Sequence, residues 1–189
     1  MRYPQVAIAD SEIPPAVEAV FQHVLDTYAS ETNKVISTWS SFGDDELSFR
    51  PHEKSMSVAE VMRHQLLSER RFFAEFLAAP EPEPASIVPE DQTVEDFKRR
   101  QRQLAMRRLA FLAAQTQDWW LEMVPFFDVR RQRIWVFWRR VLHTCHHRTQ
   151  LAVYLRLMGR PVPSTYGPTA DVTWEGADPT HSPEAAGRG

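Results

Sequence analysis

Residues Arg133 to Met158 read RIWVFWRRVLHTCHHRTQLAVYLRLM, and Gly159 and Pro161 follow as an ordinary helix stop. The stretch is the least polar of four helical patterns in the chain. At about 100° per residue, His143 and His147 differ by only about 40° around a helix axis, so both imidazoles can reach one ion. Gln150 and Tyr154 continue on the same face, which places an amide and a phenol along the approach to that ion as candidate substrate contacts. A polar stripe of this kind is tolerated at a bundle interior or rim only where its groups find partners, and metal coordination is one way to provide them.

Upstream, three more helices are predicted. From Pro15 to Trp39 the apolar positions Val17, Val20, Phe21, Val24, Leu25, Tyr28, Val35 and Trp39 fall mostly three or four apart. Ser40 to Met56 breaks the period with Gly43, Asp44, Asp45 and Pro51 and reads as a long loop. Ser57-Val58-Ala59-Glu60 matches a capping box and starts the second helix, whose apolar side runs to Leu77 before Pro80-Glu81-Pro82-Glu83-Pro84 stops it. The third spans about Thr93 to Thr116, with Val94, Phe97, Leu104 and Leu112 on one side. Trp119 to Phe127 is aromatic, contains Pro125, and fits either a short extended piece or an irregular packed connection. With no strand pattern of comparable strength, the expected fold is an all-α four-helix bundle with long connecting loops. Residues 1–172 are expected to form that domain and residues 173–189, rich in small and polar residues, a flexible C-terminal tail.

The 189-residue length suits one domain with a buried core. A net charge of −3 supplies no concentrated positive field, so no nucleic-acid partner is expected. A single cysteine makes the fold independent of an oxidising compartment. The N-terminus lacks the basic-then-apolar order of a signal peptide, and no apolar run approaches the ~18 residues that span a bilayer. The expectation is a cytoplasmic protein with no membrane partner.

Two histidines leave a metal site incomplete, because Zn²⁺ and similar ions usually take at least three protein ligands. His64 is the candidate third. It lies two turns into the second helix, on the wheel sector of Ser57, Ser68, Arg71 and Glu75, away from the main apolar face. On that placement alone, a solvated surface histidine is the better reading.

The run His143-Thr144-Cys145-His146-His147-Arg148-Thr149-Gln150-Leu151, followed by Tyr154-Leu155-Arg156, Gly159 and Pro161-Val162-Pro163, resembles the closing motif of the DinB/YfiT-like superfamily. Phe49-Arg50-Pro51-His52, running into Ser57-Val58-Ala59-Glu60 and His64, resembles its middle motif. The similarity extends from about Pro15 to Asp171. It implies a four-helix bundle, often a homodimer, that carries a divalent metal on one histidine of the second helix and a His-x-x-x-His pair of the fourth. Those positions are His64, His143 and His147 here. Thr149 departs from the glycine common in the family, outside the ligand set.

Three neutral imidazoles leave coordination positions for water or substrate, as in catalytic rather than structural sites. Some members of the superfamily activate a low-molecular-weight thiol on the metal for transfer or isomerisation of a small molecule. The resemblance therefore implies a metal-dependent, thiol-using enzyme, with a non-catalytic, stress-linked metal or small-ligand binding protein as the alternative. Zn²⁺, Ni²⁺ and Fe²⁺ all suit such a donor set.

Other residues have structural readings. Cys145 lies about 160° from His143 and reads as a buried thiol facing away from the ion. His146, about 60° from His143, is near enough to compete as a ligand, but packing or a hydrogen bond behind a ligand is the better reading. His23, His52 and His181 are isolated, and Glu60 serves its cap. Lys98, Arg99, Arg100, Arg102, Arg107 and Arg108 read as a solvated helix face, or else as a dock for an acidic ligand. Trp135-Val136-Phe137-Trp138 reads as core or dimer contact.

Overall fold

A computed structural model of the chain describes residues 5–167 and 169–171. The tail expected at 173–189, and His181 within it, lie outside the described residues. Four long helices, α1 Gln22–Trp39, α2 Val58–Glu75, α3 Val94–Ala113 and α5 Arg133–Leu157, carry most of the structure. A short helix α4, Gln117–Leu121, and a hairpin of β1 Met123–Phe126 and β2 Val129–Gln132 connect α3 to α5. The fold is thus mostly helical with a small antiparallel sheet.

Local chemistry explains the boundaries. Ser57 Oγ accepts from the Glu60 N–H at 3.2 Å, and Glu60 Oε2 accepts from the Ser57 N–H at 2.6 Å, completing the predicted capping box of α2. Thr93 Oγ1 caps α3 by accepting from the Asp96 N–H. At the end of α5, Gly159 adopts φ +70°, with Arg160 N–H donating to Leu155 O and Gly159 N–H to Arg156 O. This pair of bonds is a Schellman stop.

Three expectations need correction. The first helix begins at Gln22, after a 3₁₀ turn at Ala19–Phe21, rather than near Pro15. Upstream of that turn the Val17 N–H donates to Ala113 O at 2.7 Å, a tie to the end of α3 made in place of a helical bond. Val17 and Val20 consequently stay exposed. α2 ends at Glu75, short of Pro80, because the Leu77 N–H turns back to Phe72 O and Ala78 takes a left-handed φ of +54°. The Trp119–Phe127 segment takes the extended alternative in part, as α4 followed by β1, and β1 pairs with β2 from Phe126↔Val129 to Met123↔Gln132, so the expected all-α class is corrected to mostly helical with a small sheet. Only four residues long, and fully exposed along β2, the strands carry no clear alternation of apolar and polar residues.

α1 packs on α3 and α5, α2 packs on α5 and α3, and α4 on α5. The core falls into two apolar clusters. One gathers Leu25, Tyr28, Phe73, Leu109, Trp120 and Phe137, and the other Trp39, Met62, Leu66, Phe97, Leu151 and Leu155. Between them α1, α2 and α5 insert buried polar side chains: Glu31 and Lys34, Gln65 and Glu69, Arg140 and Arg148. Of the Trp135–Trp138 run, Val136 and Phe137 enter the core, while Trp135 remains 42% exposed against Phe126.

Candidate metal centre

His64 of α2 and His143 and His147 of α5 converge across the α2–α5 contact. One nitrogen from each ring lies within 4.8 Å of the others, and His147 is buried while His64 and His143 are half-buried. Ring centroids are 4.5 Å apart for His64 and His147, 4.6 Å for His143 and His147, and 5.4 Å for His64 and His143. Of the polar sector of α2, His64 and Ser68 thus face α5, whereas Arg71 and Glu75 stay exposed as an ion pair with each other. All three imidazoles are held below their ordinary titration range. Burial is the main cause in each, joined by the Arg140 charge, and His143 is pushed down to about 3. Near neutral pH the rings are uncharged and offer lone pairs, which is the donor chemistry a divalent ion needs. The donor set fits such an ion.

Each α5 ring is backed by a different partner. His147 Nδ1 lies 2.9 Å from Gln150 Oε1; Gln150 Nε2 donates to Tyr154 Oη at 2.9 Å; and the Tyr154 hydroxyl donates to Met56 O at 2.9 Å. Gln150 and Tyr154, expected along the approach to the ion, are therefore engaged behind His147. His143 Nδ1 instead accepts from Arg140 Nη1 at 2.9 Å, and the same Nη1 donates to Ser68 Oγ at 2.7 Å. A neutral His143 coordinating through Nε2 would carry its hydrogen on Nδ1, so loading requires that Arg140 contact to open.

Arg140 belongs to a buried ionic network that sequence reading missed. Glu69, 2% exposed, accepts from the Tyr28 hydroxyl at 2.5 Å and lies 3.2 Å from Arg108 Nη1 and 3.8 Å from Arg140 Nη2. Arg108 also grips Glu81 with two hydrogen bonds, at 2.7 and 2.8 Å. Burial pushes Glu69 up, but the two guanidinium groups and the Tyr28 and Gln101 hydrogen bonds outweigh it and hold the carboxyl below its usual range. Arg108 is only 1% exposed, which corrects its assignment to a solvated face; Arg99, Arg102 and Arg107 are exposed as expected. A usable signal was the placement of Glu69 at helical spacing with Met62, Leu66 and Phe73, a carboxylate inside an apolar stripe.

The other described histidines contribute no nitrogen to the group. His146 is exposed and packs edge-on to His147 at 4.9 Å. His23 contacts Val20 O, and His52 accepts from the Lys54 N–H. Cys145 faces α1, where its half-buried thiol donates to Glu31 Oε2 at 3.0 Å, and burial raises its pKa.

The sequence matches the DinB family over residues 17–177. The chain belongs to the DinB family. Two solved DinB-like proteins share its fold. One, from Bacillus cereus, is 18% identical with a TM-score of 0.65, and the match covers 76% of this chain and 95% of that one. Another, from Bacillus subtilis, is 19% identical with a TM-score of 0.59, covering 75% and 95%. No curated protein matches this DinB chain in sequence. Among its described residues, no helix is long and apolar enough to cross a membrane.

Proposed function

We propose that this DinB-family chain is a divalent-metal-dependent enzyme, with His64, His143 and His147 as the ligands of an open three-histidine site. The observation that carries the reading is the convergence of three uncharged imidazoles from two helices, with nitrogens within 4.8 Å of one another. When bound, a Zn²⁺, Ni²⁺ or Fe²⁺ ion would supply Lewis acidity and an open position at which a low-molecular-weight thiol ionises near neutral pH. The chain's own residues then do the rest. The α2–α5 contact sets ring spacing, Phe72 stacks beside His143, and Arg140 keeps a positive charge next to the site that favours an anionic substrate group.

In this reading residues 1–172 form a single four-helix bundle domain, supported by the packing of α1 and α2 against both α3 and α5. The protein works as a homodimer on a small molecule, as the family resemblance implies, and in the cytoplasm, as the single cysteine and the lack of a signal-peptide pattern suggest. The test is the metal content of protein purified without chelator or affinity tag, followed by turnover with a panel of thiols and electrophiles. Stoichiometric metal and thiol-dependent consumption of an electrophile are expected. Metal-loaded protein that consumes nothing would leave a non-catalytic binding protein, and metal-free protein would sink both readings.

A further inference from the structure

We infer that Gln150, Tyr154 and the Met56 carbonyl form a directional chain that presents the Nε2 lone pair of His147 to the site, making Gln150 and Tyr154 positioning residues rather than substrate contacts. This rests on the three-histidine reading above. The polarity of the chain follows from its far end. A backbone carbonyl can only accept, so the 2.9 Å contact to Met56 O fixes the Tyr154 hydroxyl as donor. The Tyr154 oxygen is then the acceptor for the amide NH₂ of Gln150, which turns Gln150 Oε1 toward His147. Since Oε1 can only accept, the hydrogen at that contact sits on His147 Nδ1, and Nε2 is left with a free lone pair.

The anchor is well built. Tyr154 is 3% exposed, and its ring packs edge-on against Phe49 at 5.9 Å. Met56 immediately precedes Ser57, the cap of α2. The same chain therefore ties the start of the helix bearing His64 to the helix bearing the other two rings, and it sets both the orientation of one ring and the spacing of the third.

Two measurements test this. In metal-free protein near neutral pH, nitrogen NMR of the His147 ring should show the Nδ1–H form. In Gln150→Leu that preference should be lost, and in Tyr154→Phe it should weaken as the amide becomes free to rotate. Co²⁺ titration followed by its visible absorption should show about 10- to 100-fold weaker binding for Gln150→Leu, the usual effect of removing a group that orients a ligand. Gln150→Glu, which keeps an acceptor at Nδ1, should recover most of that loss, a rescue that a purely structural role would not produce. An Nε2–H ring in the wild type, or Gln150→Leu with unchanged affinity, overturns the inference. Wild-type protein that shows the Nδ1–H ring yet takes up no Co²⁺ instead defeats the metal reading and leaves the hydrogen-bond chain standing.

Discussion

Arg108→Met should unfold the buried ionic layer more than any surface change of similar size. Arg108 lies 3.2 Å from Glu69 Oε1 and 2.7 and 2.8 Å from the two Glu81 oxygens, and the three side chains are 1%, 2% and 3% exposed. At an effective dielectric of about 20, a pair at 3.2 Å attracts by roughly 5 kcal/mol before desolvation is counted. Removing one partner of such a buried pair costs roughly 3–5 kcal/mol, because the remaining charge stays buried. Glu69 keeps Tyr28, Gln101 and Arg140, whereas Glu81 loses both of these hydrogen bonds. Urea unfolding followed by tryptophan fluorescence, with Trp39 and Trp120 fully buried, would measure the loss. The pH dependence has a definite sign. In the wild type Glu69 is held below its ordinary 4.5, so its stabilisation is complete above that value and disappears as pH falls through the lower folded-state value. Without Arg108, burial pushes the carboxyl upward, so protonation relieves the variant and the stability gap should narrow on acidification. A loss below about 1 kcal/mol at neutral pH, or a gap that does not narrow through the carboxylate range, would refute the reasoning.

Other expectations concern the site and the helix ends. Alanine at His64, His143 or His147 should each abolish stoichiometric metal binding, measured by elemental analysis, while His146→Ala should leave it intact. Ser57→Ala should cost about 1 kcal/mol of stability by removing the α2 cap, seen as a lower urea midpoint. Gly159→Ala meets no neighbouring atom within 4 Å, so its cost should be the left-handed strain alone, about 1 kcal/mol, read as a drop in Tm; an unchanged Tm would count against the Schellman stop.

Much of the site was legible because helical geometry is local. The four-residue spacing of His143 and His147 puts them on one face of α5 whatever packs against it, and Ser57 and Glu60 mark the start of α2 through bonds made within a single turn. The long helices follow from apolar periodicity for the same reason. An extended piece at Trp119–Phe127 was open from sequence, but β2 and its pairing escaped because strands this short are specified by pairing across the turn rather than by their own pattern.

His64 shows where sequence stops. Its wheel position among polar residues favours a surface histidine, the family resemblance alone names it as a ligand, and the docking of α2 on α5 is what turns its ring toward two others. Glu69, Arg108 and Glu81, separated along the chain, become one buried network through tertiary packing. Gln150 and Tyr154 sit on the face of His147 by spacing alone, yet their direction comes from a carbonyl at Met56, nearly a hundred residues away. Sequence by itself determined the existence of the four long helices and the pair of imidazoles, because these depend on bonds within a few turns. The third imidazole, and the polarity of the groups behind the site, were decided only by which helix faces met.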